Sequence, residues 1–271
     1  MQSDSRVRSP AVASLFYPGD ALRLEQEVSS LLAKADAFPD ILPKAMVVPH
    51  AGYAWSGALA ATACKLLIPM KNQIRRLVLL GPAHRVYLRG IALPSSTAFA
   101  TPFGEVGLDT DLLQKLAAAF SCVKVMDAAH AMEHSLEVIL PFLQKTLDSF
   151  TLVPLVVGET DALKVASVLD YLWGGEETLI LISSDLSHFK DYASARTIDM
   201  QTAQAIESMD LSGISSDAAC GVYPLRGFLT SALRRSLKVH RLGLCNSGDV
   251  SGDKAGEVVG YGAWAFTEEG I

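Results

Sequence analysis

The chain has 271 residues, half of them hydrophobic and 19% charged, with a formal net charge of -6. This excludes a disordered chain, and without a long Lys or Arg block nothing supports a phosphate-tracking nucleic-acid face. The length and apolar content suit one sizeable α/β core, a single domain over 1–271.

The start, Met1-Gln-Ser-Asp-Ser-Arg6, has no apolar stretch behind it, so no secretory signal is expected. Apolar runs are broken by Pro or Gly well short of the ~20 residues that a spanning helix needs. The expected setting is cytoplasmic, with neither membrane nor nucleic acid as partner. Cys64, Cys122, Cys220 and Cys245 form no Cys-x-x-Cys motif. Each reads as a small buried apolar residue rather than part of a disulfide framework.

In chain order, Asp20 caps a helix through Ala35, with Leu24, Val28, Leu31 and Leu32 on one face. Ala45-Met-Val-Val-Pro49 is a short buried strand, and Gly57 to Leu67 an Ala-rich helix. Leu77 to Leu80 is a second buried strand, and Gly90 to Leu93 an edge strand. Asp109 to Phe120 and Ser135 to Leu147 read as helices. Leu152 to Val157 is a strand whose Pro154 suggests an edge or a bulge. Asp161 to Trp173 is helical, Thr178 to Ile182 a fully apolar strand, and helices fill most of Ser194 to Leu237. The last strands are Leu242 to Leu244 and Val258 to Phe266. Strands alternating with helices, and apolar on both faces, predict a three-layer α/β/α arrangement.

Three apolar strands end alike. Met46-Val-Val-Pro49 runs into His50-Ala-Gly-Tyr53, Val78 to Pro82 into Ala83-His84, and Leu179 to Ile182 into Ser183-Ser-Asp185-Leu-Ser-His188. In α/β sheets ligands gather outside the carboxyl ends of the strands. Half of the six histidines therefore fall on one rim. A lone His after a strand is usually a loop hydrogen-bonder; three in one position point instead to a metal site. Imidazole suits Fe, Cu, Zn and Ni, and two His with one carboxylate is the facial arrangement of non-haem Fe(II). Asp185, Glu133, Asp249 and Asp253 are the available carboxylates.

Glu133 and His134 precede a helix, where free backbone N–H groups gather. They read either as helix-end packing or as substrate contacts on the same rim. Asn246-Ser-Gly-Asp-Val-Ser-Gly-Asp253 is a Gly-kinked polar loop, an ordinary turn or a wall of the site. Dinucleotide, P-loop, His-Glu-x-x-His and Gly-x-Ser-x-Gly motifs are absent.

Pro49-His-Ala-Gly-Tyr53, Leu80-Gly-Pro-Ala-His84, Glu133-His-Ser135 with Leu140-Pro-Phe-Leu143, Ser183-Ser-Asp185 with His188, and Asn246-Ser-Gly-Asp249 together resemble the Memo family, as does Ala13-Ser-Leu-Phe-Tyr-Pro18. Its bacterial and archaeal members are called AmmeMemoRadiSam system protein B. The resemblance implies a fold similar to class III extradiol dioxygenases, which use non-haem Fe(II); Cu or Zn remain alternatives on the imidazole chemistry above. It implies His50 and His84 as metal ligands, and His188 as the acid-base residue with Asp185 beside it; His134, from its own loop, is a further catalytic candidate. Phe16, Tyr53 and Trp55 are implied as pocket walls, beside Glu133 and Asp249, which the loop readings above add to the substrate pocket. Animal members complete the site with a Cys near the C-terminus. Counting back from Tyr261-Gly-Ala263 places Val250 there, and Val cannot bind metal. Cys245 lies too early in that register, which leaves Asp249, Asp185 or water.

Two functions compete on this reading. One is dioxygenase-like redox chemistry on a small substrate. The other is an adaptor that keeps the pocket and binds an anionic or phosphotyrosine-type peptide, a reading prompted by the missing third ligand. The resemblance also implies a radical-SAM partner protein. With no Cys cluster for an iron-sulfur centre, this chain would not itself be the radical enzyme.

Overall fold

Twelve strands and nine α-helices form among the described residues, which are 6–38 and 40–268 of the computed structural model. Residues 1–5, on which the signal-free start rests, lie outside them. The chain opens with β1 (Val7–Arg8), α1 (Ala21–Lys34), β2 (Ala45–Val48), α2 (Tyr53–Lys65), β3 (Arg76–Pro82) and β4 (Ile91–Leu93). It continues through β5 (Ala98–Thr101), β6 (Gly104–Gly107), α3 (Thr110–Ala119), β7 (Val123–Val125), α4 (Asp127–Ala131), α5 (Leu140–Thr146) and β8 (Thr151–Val157). Then come α6 (Ala162–Leu172), β9 (Thr178–Ser183), β10 (His188–Asp191), α7 (Tyr192–Glu207), α8 (Val222–Arg234), β11 (Lys238–Asn246), α9 (Ser247–Ser251) and β12 (Glu257–Thr267).

The most apolar runs lie side by side. β2, β9, β3 and β8 are parallel neighbours at the centre of a nine-stranded sheet. Every residue of β2 and β9 is buried, as is all of β3 except Arg76. A strand buried at every position must be covered on both faces, which is why these runs show no polar alternation. On one flank β12 pairs antiparallel with β2, and β10 and β11 pair with β12. On the other flank β4 pairs antiparallel with β8 and parallel with β7. The fold is α/β, with a separate small sheet, β1-β5-β6. The order places β9, late in sequence, between β2 and β3. Three strand ends therefore open onto one crevice.

Helices seal the sheet. α1 packs on α2, and α2 on β2 and β12; α6 packs on α8, and α8 on β3 and β9. The α1 start follows the sequence signal: the Asp20 carboxylate accepts from the Arg23 amide at 2.9 Å, and Leu24 and Val28 are fully buried. No helix among the described residues is long and apolar enough to cross a membrane.

Several elements differ from expectation. α2 begins at Tyr53 rather than Gly57, because Gly52 already serves as its N-cap. The helix expected from Ser135 starts only at Leu140. Hydroxyls of Ser183 and Tyr53 donate to the carbonyls of Ser135 and Val138, so this stretch bonds to its neighbours as an irregular loop. β4 is not an edge, since β7 lies outside it. β8 is interior, and Pro154 sits below the Val156–Val157 stretch that β4 pairs, so that side requires no N–H from it. Helices do fill most of 194–237, as α7 and α8, and the loop between them carries Cys220. β5, β6 and β7 were not expected from the sequence pattern.

Candidate metal centre

Two residues beyond the ends of β2, β9 and β3 stand His50, Asp185 and His84. Parallel pairing sets their spacing. Val48 lies opposite Ser183, and Leu80 opposite Ile182. The imidazole centroids of His50 and His84 are 5.2 Å apart and edge-on.

His50 is buried, and its ring is fixed at one nitrogen. Its Nδ1 lies 2.6 Å from Ser183 Oγ, while that hydroxyl donates to the Ser135 carbonyl at 2.5 Å. The Ser183 proton being used there, Oγ accepts from His50, so Nδ1 carries the hydrogen and Nε2 a lone pair. Burial, then the neighbouring imidazoles, hold the His50 pKa well below the usual range. The ring is neutral.

His84 is fixed the same way by a carboxylate. Its Nδ1 lies 2.8 Å from Glu133 Oε1, and its backbone amide donates to Oε2 at 2.6 Å. Glu133 Oε1 also accepts from the amides of His134 and Ser135, each at 2.9 Å. Burial alone would raise the Glu133 carboxyl, but hydrogen bonds from His84 and the amides outweigh it and hold the pKa at about 2. An ionised carboxylate only accepts, so His84 Nδ1 donates to it, which leaves Nε2 as the ring nitrogen a cation could take. With its oxygens engaged this way, Glu133 acts as the orienting partner of His84.

The third donor is Cys220, which sequence reasoning set aside as a buried apolar residue. Ligand atoms of His50, His84 and Cys220 all lie within 4.8 Å of one another. Cys220 Sγ is 3.4 Å from His50 Nε2 and accepts from the Asp185 amide at 3.3 Å. Gly221 lets its loop close onto the end of β9: a Cβ there would come within 2.6 Å of the Ser184 Cβ. Burial, then the Asp185 charge, push the thiol pKa up, so without a cation the sulfur keeps its proton.

The other expected residues divide. Asp185 Oδ1 accepts from the His50 amide at 2.8 Å, and Oδ2 lies 3.9 Å from His50 Nε2. Burial raises its carboxyl to about 7. His134 stacks on His84 at 4.7 Å and meets the edge of Phe16 at 5.0 Å. Its Nδ1 has no hydrogen-bond partner, and burial lowers its pKa to about 4. His188 Nδ1 donates to the Leu186 carbonyl at 2.8 Å, which leaves Nε2 as an acceptor, and burial lowers its pKa. Trp55 is 44% exposed in the first turn of α2.

A Memo-like protein family model matches residues 8–265. A MEMO1 family protein of Aquifex aeolicus is 36% identical, the match covering 94% of this chain and 97% of its own length. One from Methanosarcina barkeri is 33% identical, covering 95% and 98%, and one from Metallosphaera sedula 29%, covering 96% and 99%. The chain belongs to the Memo family.

Three expectations for this Memo-family protein need correction. Tyr53 is no pocket wall: it is buried, donates to the Val138 carbonyl at 2.9 Å and packs on Phe142 and Tyr17. Asp249 is not brought to the histidines: it closes a capping box with Asn246 and accepts from the Tyr192 hydroxyl at 2.6 Å. Val250, counted into the position of the family's Cys, is exposed on α9. The sulfur beside the two histidines comes from Cys220, thirty residues earlier. Its only sequence signal is a Cys-Gly pair at the start of a helix.

Proposed function

We propose that this Memo-family protein binds one transition-metal ion through His50 Nε2, His84 Nε2 and Cys220 Sγ, and uses it in redox chemistry on a small substrate. One observation carries the reading. Two imidazoles, anchored independently at Nδ1 by Ser183 and Glu133, and the Cys220 thiol bring their ligand atoms within 4.8 Å of one another. Two nitrogens and a thiolate suit Cu(I) and Zn on softness, with Fe(II) accepted less strongly. The sulfur therefore ranks copper ahead of the Fe(II) that the dioxygenase resemblance implies. Bound there, the ion would supply Lewis acidity and an electron-transfer centre.

The chain's own groups do the rest. His188, neutral and with its Nε2 not engaged by the Leu186 carbonyl, would take a proton from a substrate hydroxyl. Asp185 and His134 flank the donors, and Phe16 packs edge-on against His134. The adaptor reading arose from a missing third ligand, and Cys220 removes that motive.

The test is anaerobic titration of Cu(I), Fe(II) and Zn(II) into wild type, His50→Ala/His84→Ala and Cys220→Ala. Stoichiometric binding by wild type should vanish in the double variant. Cys220→Ala should weaken Cu(I) by at least roughly a hundredfold, and Fe(II) by less. Unchanged affinity in the double variant would refute the site.

A further inference from the structure

A cavity of about 1110 Å³ lies between α7 and β11, and none of the three metal-site donors lines it. One wall is a single stripe of α7, where Tyr192, Arg196, Met200 and Gln204 recur every four residues. The other wall is β11, where Leu244, Cys245 and Asn246 all reach the hollow. Consecutive strand residues point to opposite faces of a sheet, so a hollow that meets three in a row runs along the strand's edge.

That edge is open. β11 is nine residues long and pairs with β12 from Lys238↔Thr267 to Asn246↔Gly260. Among the described residues no strand pairs its other side. The open groups can be assigned. Gly260 donates to the Ser187 carbonyl and accepts from the Leu186 amide, so it faces away from β11. Asn246 opposite it therefore turns its own backbone outward, where the Asp249 carboxylate takes its N–H at 3.1 Å, and by alternation Leu244 also faces outward. A strand edge with no strand beside it is a template for another strand.

We propose that the occupant is β11 of a second copy, paired antiparallel across a twofold axis normal to the sheet. Charge favours this partner. Antiparallel self-pairing sets the start of one strand beside the end of the other. The start carries exposed Lys238, and the end leads into Asp249 and exposed Asp253. Twofold symmetry makes that contact twice. The register shift between Arg241 and Gly243 falls midway along the strand, at the axis, leaving a ladder on each side. The same axis brings both α7 stripes together on one face and covers Met200, which is 40% exposed.

The mass in solution, measured by light scattering over a wide concentration range, tests the pairing. Wild type should run near twice 29.0 kDa. Leu244→Pro removes an outward N–H that β12 does not use, so it should fold with an unchanged circular dichroism spectrum and run as a monomer. Lys238→Glu, at an exposed position, should raise the dimer dissociation constant by about fivefold, since the charge contact is made twice. A wild type at 29.0 kDa throughout, including one that instead captures an extended peptide along β11, overturns the proposal. So does a folded Leu244→Pro that stays dimeric. Should that variant fail to fold, an unchanged constant in Lys238→Glu overturns it equally.

Discussion

At the scale of single residues, the site depends on which ring nitrogen carries a hydrogen. Glu133 decides this for His84, and its charge is what makes the choice firm. Replacing Glu133 with Gln keeps the shape but loses that certainty. A Gln carbonyl can still accept from one side, but its NH₂ must face an N–H donor that the carboxylate had satisfied. Metal affinity should fall roughly 10- to 100-fold, as for other orienting partners of metal-bound histidines. Stability should fall by about 2 kcal/mol, the cost of unsatisfied buried amides. Competition titration reads the first effect and a urea midpoint the second. A folded variant with wild-type affinity would show that Glu133 only supports the loop. Ser183 performs the same task for His50 through a neutral hydroxyl, so Ser183→Ala should cost less affinity than Glu133→Gln.

At the scale of elements, the N-terminal segment is a strap tied across the site by one buried carboxylate. Glu137 accepts from Arg8 at 2.5 Å, from the amides of Ala11 and Val12 at 2.7 and 3.0 Å, and from the Tyr17 hydroxyl at 2.6 Å. Arg8 also donates to the carbonyls of His130 and Glu133, which joins the strap to the loop that orients His84. Glu137→Leu would leave the Arg8 guanidinium buried and unpaired, a loss of about 3–5 kcal/mol. The segment from 8 to 17 should then become open to limited proteolysis, and Phe16 should leave His134. Protection equal to wild type would mean the strap is held otherwise. This strap also marks where the sequence is legible and where it is not. β2, β3 and β9 are readable because strands buried on both faces must be apolar throughout, and their ends name His50, His84 and Asp185. Glu137 is invisible, since its partners lie some 120 residues away along the chain. Cys220 is hidden for the same reason, with no motif around it and its position set by the packing of Gly221 on Ser184. Asp249 was misplaced because a Gly-rich polar loop looks alike whether it caps a helix or lines a site.

At the scale of the whole molecule, four of the six histidines are held neutral by burial, so acid should destabilise the protein strongly. His130 isolates the effect, because it lies outside the donor set. Its Nε2 donates to the Ala92 carbonyl at 2.9 Å, and its Nδ1 is buried without a partner. A second proton would create a charged donor with nothing to receive it. Burial accordingly lowers the pKa from 6.5 to about 4. The sign follows from proton counts. Between those values the unfolded chain binds a proton at this position that the folded chain refuses. The contribution of neutral His130 is therefore complete above pH 6.5 and is lost as pH falls toward 4. In that window it should lower stability by about 1.4 kcal/mol per pH unit, roughly 3 kcal/mol in all. His130→Gln can still offer an amide hydrogen to Ala92 and takes up no proton. Its stability at pH 7 should be equal or lower, yet its decline between 6.5 and 4 should be shallower by one proton. Urea unfolding across that range, with metal removed by chelation, measures both slopes. Parallel curves would mean that the His130 proton is accommodated after all, by a rearrangement around Ala92.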